Sequence, residues 1–458
     1  MIKAVCEKQN SLSKYQQYFE IGYVILCGCF FFIWSIAKEL NYGPDELMRY
    51  QIPEYIFKNG SLPNGNAIEL RNETWGFSYA YYPNFIGPIL STVFMKIVSL
   101  FTMDEFALLV AARFTSVLSG AFTVFFLLKI CQRLFSVETK WLVTILISMI
   151  PQFVFLTSYV NNDIICICGS GMICYAWVCG LQDGWNYKNA SILSIGIIIA
   201  TLSYYNSYGW ILCSMFLFIL SYMLQKGKKD YKTMFKIGCF IAILVIAVCA
   251  GFFIRNAILY QGDFLGMKSL NMSSEKYAVE WLKPSNRNIA ANKGMSLSEM
   301  IHSKEWTGVT WGYLTLKSFI GVFGYMIVYP PDWVYTVYHV LFIVCSIGFF
   351  GQIIMWIIKR KNFYFENGQK TALFYGAIAV SFCIPIGLSL YYSFAVDYQP
   401  QGRYCYPMVI ALAVMFGTGI EWYFSKIRSL YSSILSMIVS CAFIAITIFV
   451  FINSYLPS

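Results

Sequence analysis

The amino-acid sequence predicts an all-α polytopic membrane protein with about eleven transmembrane helices. Three observations lead there. The chain is 58% hydrophobic and 12% charged, with a mean hydropathy of +0.59, whereas soluble domains carry nearer a quarter charged residues. The apolar residues gather into runs of about 20, the length that crosses a hydrocarbon core. Basic residues cluster between those runs, Lys226, Lys228, Lys229, Lys232 and Lys236 in one segment and Lys359, Arg360 and Lys361 in another. Short basic loops of this kind mark the cytoplasmic side of a membrane. Apolar spans hem in each cluster, which argues against nucleic acid as a partner despite a net charge of +10.

Taken in order, the spans are expected at about 18–38, 106–129, 141–160, 164–181, 190–206, 209–224, 237–259, 334–358, 371–393, 404–424 and 431–453. Lys3, Lys8 and Lys14 place the N-terminus in the cytoplasm. Alternation then puts residues 39–105, 260–333 and 394–403 outside, every dense basic cluster inside, and the C-terminus outside. Residues 85–101 are long enough for a short span. However, Ser91, Thr92, Lys96 and Ser99 project to one side of a helical wheel, as in a helix lying in the interface. A span there would also turn the cluster at 226–236 outward. Residues 318–329 are too short to cross and read as a surface or re-entrant segment.

The plan is lopsided. Cytoplasmic connections are short, while 39–105 and 260–333 form two long outer loops with their own amphipathic interfacial helices, within one transmembrane domain spanning 1–458. Loops of that length are usually functional when ordered, so the outer face is the expected working side. No internal repeat stands out, so a repeat-built transporter gains no support. Most of the 15 cysteines sit in apolar runs and neither long loop holds one; they read as small buried hydrophobes rather than a disulfide framework. With no CxxC or Cys/His spacing and only His302 and His339, a zinc site has little support. The first apolar run has no small-residue cleavage site after it and reads as a retained span.

Residues 41–82 break the apolar pattern with a polar segment holding Asp45, Glu46, Arg49, Glu54, Glu69, Arg71 and Glu73. The motif GPDE at 43–46 suits a helix start, with proline near the first position and acids in the first turn, and the helix is expected to run to about Lys58. Spacing alone leaves two readings open: the acids offset the helix dipole, with Asp45 pairing Arg49 at i+4, or a carboxylate takes the proton of an attacking hydroxyl. Position favours the second, because the pair stands just beyond the first span, where an acceptor could meet a lipid-borne donor.

Arg255, in GFFIRNAILY, and Arg403, in DYQPQGRYCYP, approach the same outer face from spans seven and ten. Arginine at that depth usually has an anionic partner, and its fork matches phosphate; snorkelling, or a pairing with Asp397, is the alternative for each. Arg113, early in the second span, could join such a site or snorkel. Asp163, after Asn161 and Asn162, reads as a helix N-cap. Trp75, Tyr79 and Tyr82 are among many outer-loop aromatics that suit either a membrane interface or a sugar ring. Asn72-Glu73-Thr74 matches a glycosylation acceptor, a short pattern frequent by chance.

The ordered series GPDELMRYQIPEYI, ARFTSVLSG, PQFVFLTSYVNND, RNAILYQGD, SFIGVFGYM and QGRYCYP resembles the GT-C superfamily of membrane glycosyltransferases over most of the chain. The nearest likeness is to a bacterial multispanning subgroup. The resemblance implies transfer, with inversion, of a sugar from a polyprenyl-phosphate carrier to an extracytoplasmic glycan, cell-wall polymer or lipid in the bacterial plasma membrane. It assigns Asp45 as base with Glu46 as the nearby second acid, and Arg255 and Arg403 as donor-phosphate residues, with Arg113 a further candidate by its position near the outer face. It leaves Arg49, Trp75, Tyr79 and Tyr82 for the acceptor or sugar. Adjacent Asp45-Glu46 replaces the metal-binding DxD pair of some relatives, so no cofactor is expected and a catalytic metal is not required, a divalent metal being left open. Rival classes are a flippase or transporter of lipid-linked saccharides and a polysaccharide polymerase; sparse charge in the central spans and one-sided loops weigh against transport.

Overall fold

A computed structural model describes residues 14–224, 230–359, 365 and 368–458. Lys3, Lys8, Lys226, Lys228, Lys229, Arg360 and Lys361 lie outside the described residues. The chain is built of helices in the order α1 (Lys14–Ile36), α2 (Glu46–Asn59), α3 (Ile86–Val98), α4 (Glu105–Leu134), α5 (Val137–Ser148), α6 (Pro151–Leu156), α7 (Asp163–Asp183), α8 (Tyr187–Thr201) and α9 (Tyr208–Met223). It continues with α10 (Tyr231–Leu259), α11 (Met267–Tyr277), α12 (Leu297–His302), α13 (Trp311–Gly321), α14 (Asp332–Lys359), α15 (Gly368–Ala395), α16 (Val409–Phe424) and α17 (Ser429–Val450).

Among the described residues, 9 helices are long and apolar enough to cross a membrane. All eleven apolar segments expected from the sequence are helical, and two fall short of that length. The third breaks at Pro151, which cannot donate a backbone hydrogen bond, into α5 and α6. The fifth, α8, has only 15 residues. α7 is buried along nearly its whole length, whereas α10 and α14 leave most of their apolar windows outside the buried core, as lipid-facing helices do. α7 and α8 approach closely at Gly169 and Gly196, where a Cβ on either would press on the other's carbonyl oxygen at 2.9–3.0 Å.

The surface helix expected at 85–101 is α3, 13 residues long, with Ser91 and Thr92 turned inward and Lys96 left exposed. Ser91 donates to the Ala112 carbonyl at 2.9 Å and Thr92 to the Pro53 carbonyl at 3.0 Å, while Leu90, Val93 and Ile97 are exposed. The hydroxyls satisfy carbonyls of α4 and α2, and the apolar stripe is left outward. Residues 318–329 neither cross nor continue as helix: α13 ends at Gly321, and Phe323 and Val328 pair across a tight turn.

The two long loops pack on each other at one end of the bundle. Ser273 donates to the Gly76 carbonyl at 2.8 Å, Ser274 to the Trp75 carbonyl at 3.0 Å, and Asn256 to the Tyr81 carbonyl at 2.8 Å. At the other end, Glu20 accepts from Lys129 and Lys140, both at 2.8 Å, tying α1, α4 and α5 together.

Candidate functional site

The chain leaves α1, turns through Gly43 and Pro44, and starts α2 at Glu46. Gly43 lies flat against the Tyr159 ring, where any side chain would collide. Glu46 and Arg113 then fasten the turn. Arg113 Nε donates to Glu46 Oε1 at 2.7 Å and Nη2 to Oε2 at 2.8 Å, both side chains being buried. The remaining Arg113 donors satisfy the Ser35, Lys38 and Glu39 carbonyls at 2.5–2.8 Å, the otherwise orphaned end of α1. Glu46 also accepts from the Asn41 and Val160 backbone amides at 3.1 Å. This ion pair is filled on both sides.

Asp45 takes another direction. Its φ of 63° is left-handed, a conformation Asp tolerates better than most residues, and its side chain makes no capping bond to α2. It accepts instead from Arg403 Nη2 at 2.7 Å, with Asp45 26% exposed and Arg403 3%. Arg403 Nη1 donates to the Pro44 carbonyl at 3.2 Å and Nη2 also to the Tyr404 hydroxyl at 2.9 Å, while Nε is buried without a partner. Burial alone would raise the Asp45 pKa. The charges of Arg403 and Arg49, with hydrogen bonds from Arg403 and Tyr79, outweigh it and hold the carboxyl below its ordinary value. The i+4 pairing of Asp45 with Arg49 is not formed, and Asp397 does not pair with Arg403.

Arg49 stands one turn along α2, its guanidinium 4.7 Å from the Tyr79 ring centroid and its Nε buried without a hydrogen-bond partner. Asp163 completes the charged group. It is the first residue of α7, is 1% exposed, and neither carboxylate oxygen has a hydrogen-bond partner. It interacts electrostatically with Arg403, Arg49 and Asp45. Asp163 is not the N-cap expected: Asn162 holds that position without a capping bond, and the Asn161 side chain accepts from the Ile164 amide at 3.1 Å. In the sequence Asp163 gave no other signal than its place beside two asparagines.

Beside this group opens a pocket walled by Tyr79, Tyr82, Tyr204, Tyr205, Tyr392 and Tyr404, with Arg49 the only permanently charged lining residue among those described. Phenol rings offer flat apolar faces and hydroxyls that both donate and accept, a combination suited to a polyol ring. Among the described residues no three His, Cys, Asp or Glu side chains gather as metal ligands. The two carboxylates here share their surroundings with two arginines, a donor set that does not fit a catalytic metal.

Two expected residues lie elsewhere. Arg255 donates to the Leu62 and Pro63 carbonyls at 3.2 and 2.7 Å and sits 5.4 Å from the Phe85 ring centroid. Phe85 also lines the tyrosine pocket, so Arg255 is on the far side of that ring, in a cleft with the exposed Ile254 and Ile258. Trp75 is outside the pocket as well. It lies 5.6 Å from the Arg287 guanidinium and helps join the two long loops. The structure thus gathers Asp45, Arg49, Arg403, Tyr79 and Tyr82, and separates Glu46, Arg113, Arg255 and Trp75 from them.

A family model described as a predicted membrane protein, DUF2142, matches residues 54–412. The chain belongs to this family. The DUF2142 fold is shared with solved membrane enzymes. The Archaeoglobus fulgidus oligosaccharyltransferase in its apo form superposes with a TM-score of 0.54 at 13% identity, over 95% of this chain and 56% of its own. AglB from the same organism, in complex with an inhibitory peptide and a dolichol-phosphate, gives 0.54 at 13%, over 95% and 55%. ArnT from Cupriavidus metallidurans bound to undecaprenyl phosphate gives 0.51 at 12%, over 97% and 74%. The chain spans about half the length of the oligosaccharyltransferase chains it matches. A sequence comparison with curated proteins finds no match. At these identities the likeness establishes the fold, and this DUF2142 member has the GT-C-like architecture expected from its sequence.

Proposed function

We propose that this protein is an integral membrane glycosyltransferase that moves a sugar from a polyprenyl-phosphate carrier to an extracytoplasmic glycan, cell-wall polymer or lipid. The observation that carries the reading is the Asp45–Arg403 pair, at 2.7 Å, beside a pocket walled by six tyrosines. The shared fold supports it, since ArnT and AglB have been solved with polyprenyl-type phosphates.

In this reading Asp45 takes the proton of the acceptor hydroxyl as its oxygen attacks the anomeric carbon. The bond from that carbon to the phosphate oxygen breaks, with inversion, and the lipid phosphate departs. Arg403 and Arg49 stabilise the charge that grows on the leaving phosphate. The tyrosines hold the sugar. Arg255, in the lipid-facing cleft behind Phe85, offers the carrier phosphate a second contact. Glu46 and Arg113 hold the loop rather than react, because every donor and acceptor between them is occupied. The two long loops and the bundle work as one unit, at the outer face of a bacterial plasma membrane with a cytoplasmic N-terminus.

Mass spectrometry of the cell-surface polymer with and without this gene tests the proposal. Loss of one sugar substituent supports it and names the donor, while an unchanged polymer contradicts it.

A further inference from the structure

Asp45 and Arg403 are each other's partner, yet the proposed reaction needs Asp45 free to accept a proton and Arg403 free to meet a phosphate. Three features bear on how both are met. Nη2 of Arg403 serves both Asp45 and the Tyr404 hydroxyl, its Nη1 makes a long 3.2 Å bond, and its buried Nε has no partner. Asp45 is itself 26% exposed, sits on a left-handed backbone, and makes no capping bond to α2. Arg49 lines the pocket with no hydrogen bond or ion pair from its side chain among those described; it stacks on Tyr79 and interacts electrostatically with Asp45 and Asp163.

We infer that the carboxylate of Asp45 occupies on Arg403 the position that the donor's phosphate takes, so that phosphate binding and release of Asp45 are a single event. An anion entering the tyrosine pocket meets Arg49 first, on the pocket wall. It reaches Arg403 only by replacing the Asp45 carboxylate, an exchange of one anion for another that leaves the guanidinium neutralised throughout. The freed carboxylate loses its strongest cationic neighbour and becomes a better proton acceptor. The base is thereby withheld until a donor is in place. This inference rests on the proposed transfer reaction, and it adds a coupling between two groups that the reaction alone does not require.

The coupling has a sign that separates it from a merely structural ion pair. Two ligands competing for one group weaken each other by the same factor, and such factors are typically fivefold or more. The test is binding of undecaprenyl phosphate to the full chain in nanodiscs, compared among wild type, Asp45→Asn, Asp45→Ser, Arg403→Gln and the double variant Asp45→Asn/Arg403→Gln. Each variant is first shown to unfold cooperatively near the wild-type temperature; the Asn and Ser forms stand in for each other if one does not fold. Removing the Asp45 charge is expected to tighten binding about fivefold or more. Arg403→Gln is expected to weaken binding and to abolish the gain from Asp45→Asn in the double variant. Inorganic phosphate is measured in parallel. A gain confined to undecaprenyl phosphate means that the lipid carries the anion to Arg403, and an equal gain for both means that Arg403 takes phosphate whatever its source. Unchanged or weaker binding in the Asp45 variants overturns the inference. That failure is distinguishable from failure of the proposed reaction. If Asp45→Asn abolishes transfer without tightening binding, the base assignment survives and the competition does not. If it tightens binding and transfers normally, the reverse holds.

Discussion

Asp45 and Glu46 are neighbours in the chain and bind different arginines, Arg403 and Arg113, each at 2.7 Å. The chain turns at Asp45, whose φ is 63°, and the two carboxylates end in different surroundings. Glu46 is wholly buried among fixed donors, whereas Asp45 keeps 26% of its side chain exposed beside the tyrosine pocket. The acids that the sequence paired as base and second acid thus lie in separate settings, Glu46 fastening the loop and Asp45 standing beside the pocket.

The holding role makes Glu46 and Arg113 targets for stability. Glu46→Gln leaves a buried guanidinium without its counter-charge, and breaking such a pair costs about 3–5 kcal/mol. The variant should unfold at a clearly lower temperature by differential scanning fluorimetry and lose yield. Arg113→Met should behave alike, with the Ser35, Lys38 and Glu39 carbonyls losing their donor and the buried Glu46 carboxylate its counter-charge. A thermally unaltered Glu46→Gln would contradict the structural role.

Asp45 should also set a pH limit. Its carboxyl is held below the ordinary value because Arg403 and Arg49 outweigh its burial. A depressed folded pKa means that the charged, paired form persists above the ordinary carboxylate pKa and is lost only as pH falls through the lower folded value. The acid limb of kcat/KM is therefore expected below about pH 3.9 in the wild type. Arg403→Gln removes that attraction and leaves the burial, so the limb should move upward. A limb that stays in place in Arg403→Gln would break the link between the two residues.

The joint between the two long loops is testable through two glycines. Gly266 has φ 71° and faces the Tyr81 carbonyl, so an alanine there is both strained and in collision. Gly262 has φ 92° with open space around it. Gly262→Ala should cost only the conformational strain, about 1–2 kcal/mol. Gly266→Ala should cost more and should raise KM by displacing Tyr79 and Tyr82, as steady-state kinetics and thermal unfolding of the two variants would reveal.

Arg49 is the charged residue that an anion in the pocket meets first. Arg49→Gln should weaken donor binding about tenfold, the effect of one charge-assisted hydrogen bond of roughly 1.5 kcal/mol. Titration of a polyprenyl-phosphate sugar into nanodiscs checks this, and unaltered affinity would move the anion's position away from α2.

Much of the architecture was legible because it follows from local pattern. Runs of about 20 apolar residues set the helices, and GPDE marked the start of α2 within a residue. Pattern reached less far where length or direction decided the outcome. Pro151 breaks the third segment, α8 is short, and α3 turns Ser91 and Thr92 toward carbonyls of neighbouring helices that periodicity cannot reveal. The site was least legible in its pairings. Asp45 and Arg403 are 358 positions apart, and Glu46 and Arg113 are 67 apart, so which acid meets which arginine is decided by tertiary packing and not by spacing. Asp163 was hidden for a related reason: a residue at a helix start reads as a cap until its neighbours are seen.

The most direct test of the account is transfer by purified Asp45→Asn in nanodiscs, given the polyprenyl-phosphate sugar and acceptor that the polymer analysis identifies. Asparagine keeps the size of the side chain and removes its ability to take a proton. The account predicts a thermal midpoint near that of the wild type, donor binding tightened about fivefold or more, and kcat/KM lowered by about 10²-fold or more. Transfer at the wild-type rate in a folded Asp45→Asn protein would contradict it.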